Sequence, residues 1–443
     1  MNNKKNRGLL FILLLSMTLP IFAQNGVNSP YSQFGVGELK TFYFHPYTNS
    51  MGGLSYTIRK NNIINNNNPA SYTAMDSNSF VFDMGLAADF VILANDEASL
   101  YDADAALSHI LLGMPLTKWW RTSIGILPFS EVSYITTKNL YTMSNGDSLF
   151  SQSVYDGTGG ITKLYWGHAF KITKNLSVGF NVNYLFGKET RAITFDFPDS
   201  AYMLNSRKLK ETHISNFTFD FGLQYFQELN ENYTLGLGLT YSSVPTSLKV
   251  KDKSVVYTFV SQGTIDYVSD TIFPAVEYES NLDMPHIVGL GLSLTRNEKW
   301  MVGVDATYSS WNMPKYTENT TNDIFGGWTA FDYTESYRFA IGGEKMGDYL
   351  ASKYFEKMSF RAGVHFESGK LCVLNQATGS NEILNDFGIH AGLSFPMRKM
   401  KSIINLNFQW GTYGVKEILR KNYFQIGLSL STSDTWFKKR KYD

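Results

Sequence analysis

The sequence predicts an all-β fold, a transmembrane antiparallel β-barrel of about 14 strands with an N-terminal plug segment in its lumen. Apolar and small residues alternate with a period of two along most of the chain, as where Val178, Phe180 and Val182 flank Gly179 and Asn181. The composition is 15% aromatic and 18% charged, whereas a soluble chain is typically about 25% charged. Beyond the first residues no apolar run approaches the ~20 residues of a membrane-spanning helix. A closed barrel is the other structure that satisfies all backbone groups in lipid.

The beginning of the chain has the pattern of a secretory signal peptide. Three basic residues precede an apolar run over residues 9–15, and Ala23 is a small residue at the expected cut. We therefore expect residues 1–23 to be removed and the chain to be exported to the outer membrane, where lipid and lipopolysaccharide surround it. A single cysteine, Cys372, excludes an internal disulfide framework. The formal net charge of zero gives no reason to expect a nucleic-acid partner.

Residues 24–78 do not alternate and are predicted to form the plug. They are rich in glycine and contain an asparagine-rich run at residues 61–68. A disordered leader is the alternative interpretation, but aromatic residues such as Tyr31 and Tyr47 argue against it, because disordered segments contain few aromatics. Proline fixes the backbone where the chain leaves this segment. That exit is marked by Asn68, Pro69 and Ala70.

The barrel is assigned to residues 79–432. Its predicted strands cover residues 80–93, 105–116, 122–135, 161–172, 176–187, two runs around Phe217 and Tyr233, 286–295, 300–308, 335–343, 358–367, 387–395, 403–410 and 424–430. This number is even, as in single-chain bacterial barrels, and short connections alternate with long ones. The long connections are residues 137–160, 188–212, 246–283, 312–334 and 368–386. The alternation predicts periplasmic turns and outer loops, with part of 246–283 extending strands above the membrane. Residues 433–443 are predicted to form a basic periplasmic tail.

The third predicted strand is irregular because it contains Pro128. Proline has no N–H group to donate to a neighbouring strand. A bulge or a gap in the barrel wall is therefore expected at this position.

Four side chains are candidate ligands for a carboxylate head group in the lumen. They are Arg338, Arg361, His365 and His390. Arginine binds carboxylates through paired hydrogen bonds, which makes the two arginines suitable for this role. The alternative is that the arginines pair with lumen acids or with the plug, because buried charges need partners whether or not a ligand binds. The candidate acids are Asp83, Asp305 and Glu367.

Catalysis and cofactor binding are not expected. The run from Gly146 to Leu149 copies the nucleophile motif of a lipase family, and Asp283 with His286 copies its partner motif. A serine nucleophile needs its base within hydrogen-bond distance, whereas four predicted strands separate these two motifs. The seven histidines are scattered without a pair at metal-ligand spacing, so no metal site is expected.

Several short motifs in order along the whole chain resemble the FadL family of long-chain fatty acid transporters. They are Asn68-Pro69-Ala70, residues 113–115 before Trp119-Trp120, Pro128-Phe129, residues 285–291 and Arg361-Ala362-Gly363. The opening Ser29-Pro30-Tyr31 and the ending at residues 436–441 look like a branch common in Bacteroidetes-type bacteria.

The resemblance implies an N-terminal hatch, and a wall opening at the kinked third strand that Pro128 would fit. The function it implies is an outer-membrane channel for passive uptake of small, hydrophobic, fatty-acid-like molecules through a plug-gated lumen. The alternative is a non-transporting barrel subunit of a secretion or assembly complex, with envelope proteins as partners, since relatives in this branch include such subunits.

Overall fold

Fourteen strands pair in chain order into a closed antiparallel ring in the computed structural model of the protein. The structure describes residues 28–40, 45–96, 98–144, 147–198, 203–243, 248–262, 265–282, 284–297, 299–311, 316–317, 331–375, 378–397 and 401–435. The ring strands are β1 Ser79–Ala94, β2 Ser99–Pro115, β3 Trp120–Ser144, β4 Asp147–Lys171, β5 Leu176–Asp196, β6 Asn205–Glu228, β7 Tyr233–Ser243, β8 Ile287–Arg296, β9 Trp300–Ser309, β10 Ser336–Lys345, β11 Ser359–Glu367, β12 Asp386–Pro396, β13 Lys401–Val415 and β14 Leu419–Thr435. The predicted barrel and its strand number are confirmed.

The ladder between β1 and β14 closes the ring, from the pair Ser79–Thr435 to the pair Ala94–Arg420. Within each strand, side chains that point away from the lumen are apolar and exposed. On β8, for example, Leu290 and Leu292 are each about half exposed, while Ser293 between the strand's outward residues is buried. An apolar outer face with a buried inner face is the pattern of a strand between lipid and a filled lumen. No helix in the described part of the chain is both long and apolar enough to cross a membrane.

Substituting Leu292 by arginine tests the assignment of the outer face to lipid. We expect Leu292→Arg to lower the free energy of unfolding from lipid vesicles by about 2–4 kcal/mol, because the guanidinium would replace an apolar group near the bilayer centre. Val260→Arg is the matched control, since Val260 is 41% exposed but lies near the tip of a hairpin outside the ring. Equilibrium refolding into vesicles measures both penalties, and equal values would contradict the assignment.

Two of the predicted outer loops are wrong, because the strands continue through them. Residues 137–160 belong to a long β3–β4 ladder that ends at the pair Ser144–Asp147. Most of residues 188–212 belongs to the β5–β6 ladder. Above the lipid both faces of a strand meet water, so the apolar alternation that marks a membrane strand stops while the backbone pairing goes on.

A hairpin outside the ring, Leu248–Gln262 with Ile265–Leu282, pairs with the outer half of β6, as expected for part of residues 246–283. The other short elements are Tyr316–Thr317, which pairs with the end of this hairpin, a three-stranded outer sheet (Phe331–Tyr333, Leu371–Leu374, Asn381–Ile383) and the 3₁₀-helix Tyr354–Lys357. The predicted signal peptide, Gly146 and residues 436–443 of the tail lie outside the described residues.

The N-terminal segment, here residues 28–40 and 45–78, contains little regular structure. Its elements are the 3₁₀-helices Pro30–Gln33 and Pro69–Ala74, the short strand Glu38–Leu39 and the helix α1, Pro46–Asn49. Most of its residues between His45 and Thr73 are buried. They contact the inner faces of strands around the ring, for example Asp83 on β1, Asp305 on β9 and Gln409 on β13.

Candidate functional site: the lumen and the wall gap

A buried charge network joins the N-terminal segment to β10 and β11. The Glu344 carboxylate accepts a hydrogen bond from the Tyr47 hydroxyl at 2.7 Å and lies 3.0 Å from the Lys60 ammonium. Arg361 donates from Nε to the other carboxylate oxygen at 3.2 Å, and its guanidinium lies 4.0 Å from the centre of the Tyr47 ring. Glu344 and Arg361 are 4% and 5% exposed. Arg361 therefore has a protein carboxylate as its partner, and that partner is not one of the acids chosen from the sequence.

Arg338 and Asp305 bind the turn that follows α1. Arg338 donates to the carbonyl oxygen of Gly52 at 2.6 Å, and its Nε lies 3.8 Å from Glu367. Asp305 accepts from the backbone N–H groups of Ser55 and Tyr56 at 2.7 and 3.1 Å. Gly52 has a positive φ of 75°, a conformation that glycine adopts without steric cost. The two inward charges thus hold a turn of the N-terminal segment from neighbouring strands.

Asp83 lies between two histidines that are distant in sequence. Its carboxylate oxygens are 2.9 Å from Nε2 of His45 and 3.1 Å from Nε2 of His109, and Ser431 donates to it at 2.8 Å. The ligand atoms of these three residues lie within 4.8 Å of one another, which is close enough for a metal ion. The sequence analysis did not predict this cluster, because His45 comes from the N-terminal segment and His109 from β2.

The hydrogen bonds of His45 do not fit a metal ligand. Its Nδ1 accepts the backbone N–H of Tyr47 at 3.1 Å, so the proton of the neutral ring is on Nε2 and is donated to Asp83. A metal at Nε2 would require the lone pair there and a proton on Nδ1, opposite another N–H group. The arrangement suits a hydrogen-bonded anchor between the N-terminal segment and β1.

His365 and His390 are in direct contact across β11 and β12. Nδ1 of His365 lies 2.7 Å from Nε2 of His390, and Nε2 of His365 lies 3.4 Å from Asp386. Both rings are buried. They are brought close to each other as the sequence alternation suggests, while Arg338 and Arg361 point to different parts of the N-terminal segment. The four candidate ligands therefore do not form one pocket, and their role toward a head group stays a prediction.

The predicted exit triplet begins a helix turn against β4, β5 and β6. The Asn68 side chain accepts the N–H of Ala70 at 3.2 Å and donates to the carbonyl oxygens of Tyr56 and Leu223. Pro69 occupies the first position of the 3₁₀-helix, where its missing N–H has no cost. Ala70 is fully buried. The triplet thus connects the turn, the ring wall and the start of β1.

The wall has a gap between the outer halves of β2 and β3. Their ladder runs from the pair Pro115–Arg121 to the pair Ile110–Ile126, and no pairing of the two strands is described beyond it. The β3–β4 ladder shifts register between Pro128 and Ser130, where the sequence analysis places a bulge. We call the unpaired region between residues 99–109 and 127–144 the wall gap.

Residues 28–40 of the N-terminal segment lie along the wall gap. The short strand places Leu39 opposite Ser130, and the N–H groups of Ser29 and Lys40 donate to β3 carbonyls at 2.8 and 3.0 Å. On the other side, the N–H of Asn28 donates to Asp102 on β2 at 2.6 Å. The segment therefore replaces part of the missing strand-to-strand contact.

A cavity of about 150 Å³ lies behind this part of the segment. Apolar and aromatic residues such as Tyr31, Phe34 and Trp311 line it, together with several charged groups. Lys421 on β14 donates to both carboxylate oxygens of Glu38. Burial alone would raise the pKa of the Glu38 carboxyl, but Lys421 and Lys40 lower it to about 2. The carboxylate is therefore charged at any physiological pH.

The lipase-like motif acquires no catalytic setting in the part of the chain that the structure describes. Its residues at 147–149 begin strand β4, and His286 contacts the hydroxyl groups of Tyr241 and Ser243 at 3.0 and 3.2 Å.

The comparison with known families decides the assignment. A family model described as BamG matches residues 5–443. The chain belongs to the BamG family. A search of curated proteins found no match. The expected Bacteroidetes-type branch stays a prediction.

Solved structures with the same fold as this BamG-family chain include two toluene transporters and a FadL homologue. The toluene transporter TodX of Pseudomonas putida is 15% identical, with a TM-score of 0.54 over 91% of this chain and 100% of its own. The toluene transporter TbuX of Ralstonia pickettii is 14% identical, with a TM-score of 0.54 over 90% and 100%. A FadL homologue of Pseudomonas aeruginosa is 13% identical, with a TM-score of 0.54 over 88% and 98%. At these identities the likeness concerns the fold alone.

Proposed function

We propose that this BamG-family barrel is an outer-membrane channel for passive uptake of small hydrophobic molecules. The observation that carries the proposal is the wall gap with a cavity directly behind it, separated from the gap by residues 28–40. A molecule in the cavity would reach lipid by a shift of this short segment, without crossing the polar lumen. TodX and TbuX, which have the same fold, are toluene transporters, and this supports the proposal.

In this proposal the N-terminal segment is the plug, and movement of residues 28–40 opens the path. Few backbone hydrogen bonds join these residues to β3, whereas residues 45–75 are held by the charge networks of the lumen. Local opening favours regions with few buried contacts. Residues 45–75 would then stay bound in the lumen while residues 28–40 move.

A disulfide between Leu39→Cys and Ser130→Cys tests the moving part. These residues are directly opposite in an antiparallel pair, where Cα atoms are close enough for a bridge. Cys372→Ser removes the native thiol. We expect oxidation to slow the initial rate of toluene uptake by cells severalfold, and reduction to restore it, because the staple holds the segment against the wall gap.

The control staple joins Ser261→Cys to Asp266→Cys, which are opposite each other in the outer hairpin. Uptake by this variant should be the same in both redox states. If the Leu39–Ser130 staple forms fully and uptake does not change, residues 28–40 do not control the path. A carboxylate head group and a fatty-acid-like substrate are finer parts of the proposal, which uptake of octanoate against octanol would test.

A second function, a non-transporting subunit of a secretion or assembly complex, is favoured by the filled lumen. Inner-face residues on several strands, among them Asp83 and Arg361, form hydrogen bonds with the N-terminal segment. A lumen filled in this way suits a barrel that does not conduct. Purification in mild detergent discriminates the two functions. Stoichiometric co-purification of envelope proteins, with toluene uptake unaffected by deletion of the gene, would favour the subunit.

A further inference from the structure

The connection between β10 and β11, residues 346–358, differs from the other connections at the end of the barrel predicted to be periplasmic. Those are short turns, for example residues 116–119, 172–175 and 229–232. The β10–β11 connection contains the 3₁₀-helix Tyr354–Lys357. It also has a backbone hydrogen bond of its own, in which the N–H of Asp348 donates to the carbonyl oxygen of Glu356 at 2.8 Å. An ordered segment of this length is more than two neighbouring strands need to be joined.

The large apolar side chains of this connection are exposed. Leu350 is 94% exposed and Phe355 is 67% exposed, and about half of the Tyr354 side chain is exposed. Single exposed apolar residues are common on protein surfaces, but several in one ordered segment mark a surface that meets a membrane or another protein. The positions of these side chains on the barrel decide between the two.

Phe355 lies against the outer wall of the ring. Its ring centre is 5.2 Å from the ring centre of Phe360 on β11. Phe360 precedes the buried, inward-pointing Arg361, so its ring is on the face of the strand that meets lipid. The Tyr354 hydroxyl donates to the carbonyl oxygen of Pro396 at the end of β12, at 3.3 Å. The 3₁₀-helix is therefore fixed at the edge of the lipid-facing surface, and its apolar side chains continue that surface.

Lysine side chains surround these apolar groups. They are Lys345, which is opposite Phe360 in the β10–β11 ladder, and Lys353 and Lys357, which flank Tyr354 and Phe355. None of the three has a carboxylate partner within the part of the chain that the structure describes. Of the two acids in the connection, Asp348 accepts the backbone N–H of Leu350 at 2.9 Å, and Glu356 lies between the lysines. The surface is therefore apolar with a net positive rim, which is complementary to an anionic lipid layer.

We infer that residues 350–357 form a lipid anchor in the inner leaflet of the outer membrane. Leu350, Tyr354 and Phe355 insert at the level where acyl chains meet headgroups, and Lys353 and Lys357 bind lipid phosphates. Aromatic rings suit this boundary, and a lysine can keep its stem in apolar surroundings while its ammonium reaches the phosphate layer. A soluble periplasmic protein would approach along the barrel axis, whereas Phe355 packs sideways on the wall. The inference goes beyond the proposed function, because it applies equally to a channel and to a non-transporting subunit.

Fluorescent labels test the insertion in vesicles made of equal parts of phosphatidylcholine and phosphatidylglycerol. Leu350→Cys and Phe355→Cys each carry an NBD group on the full chain, with Cys372→Ser removing the native thiol. We expect nitroxide-labelled acyl chains to lower the emission of both labels at least about twofold, because interfacial apolar side chains reach about 5–10 Å into the boundary between headgroups and acyl chains. Val260→Cys is the control, since Val260 is an exposed apolar residue in the outer hairpin away from the membrane.

Two results would overturn the insertion. One is a label at position 350 or 355 that nitroxide lipids quench no more than the label at position 260. The other is a photocrosslinker at position 355 that reacts in cells with an envelope protein and not with lipid, which would assign the surface to a protein partner.

Placing the nitroxide on one lipid at a time measures which headgroup lies beside the Phe355→Cys label. We expect phosphatidylglycerol to be enriched about fivefold over phosphatidylcholine, since one lysine near an anionic surface supplies a preference of that order, and high salt to reduce the enrichment. Lys353→Gln combined with Lys357→Gln should lower the enrichment at least about twofold. The control pair, Lys118→Gln with Lys171→Gln, removes two exposed lysines near other turns at the same end and should leave it unchanged. Equal quenching by both lipids, or an unchanged enrichment in the first pair with normal heat-modifiable gel mobility, would overturn the role of the lysines.

Discussion

Replacing Glu344 by alanine is expected to lower the free energy of unfolding by about 3–5 kcal/mol, because removing one partner of a buried ion pair leaves the other charge without compensation. Arg361 is buried and would lose the carboxylate to which it donates at 3.2 Å. Lys60 and the Tyr47 hydroxyl would lose the same group. Since two of these partners belong to the N-terminal segment, the substitution should also loosen that segment from the ring.

Two measurements check this expectation. Equilibrium unfolding from lipid vesicles gives the stability change, and limited trypsin digestion reports cleavage after Lys60. Glu356→Ala is the matched control, because Glu356 is exposed in the 3₁₀-helix at residues 354–357 and should change stability little. A Glu344→Ala protein as stable and as protease-resistant as the control would show that the network does not hold the segment.

Deleting residues 24–66 is expected to raise permeability to small polar solutes by an order of magnitude or more. The inner faces carry buried polar groups such as Asp305, Arg338 and Gln409, which would then be hydrated and would line an open lumen. The ring ladders do not involve the deleted residues except at Glu38 and Leu39, so the barrel should still close. Liposome swelling with small sugars measures the permeability.

The control deletion removes mass from outside the ring. Val250 and Ser280 are opposite each other in the outer hairpin, so a short glycine-rich turn can join them and replace residues 251–279. That variant should remain as impermeable as the full chain. Tightness of the 24–66 deletion to sugars would show that these residues do not act as a plug.

The barrel was predictable because lipid imposes its own pattern on each strand. Leu290 and Leu292 face lipid and are apolar, whereas Gly291 and Ser293 face the filled lumen. This alternation can be recognised in the sequence. The outer parts of β3 to β6 carry no such contrast. Lys188 and Glu211 pair there in water, so the strand boundaries were placed too early.

The sequence predicted the type of contact made by charged side chains in the lumen, but not the residues with which they make it. Buried Arg338 and Arg361 required polar partners, but alternation along one strand says nothing about which residue of an irregular segment will face it. Glu344 became the partner of Arg361 because β10 and β11 are neighbours, and the contact of His45 with Asp83 depends on how the N-terminal segment folds inside the ring. The carboxylates that line the cavity likewise come from five separate parts of the chain.

The seam between β1 and β14 constrains the order of events in folding. It joins Ser79 to Thr435, so it forms only after more than three hundred intervening residues have been placed. Residues 45–75 touch strands from both sides of that seam, including Asp83 on β1 and Gln425 on β14. Residues 45–75 must therefore be in position before the β1–β14 ladder forms, or they must enter the lumen after the barrel has closed. Enclosure first is the simpler route, and in it the segment acts as a template on which the two terminal strands find their register.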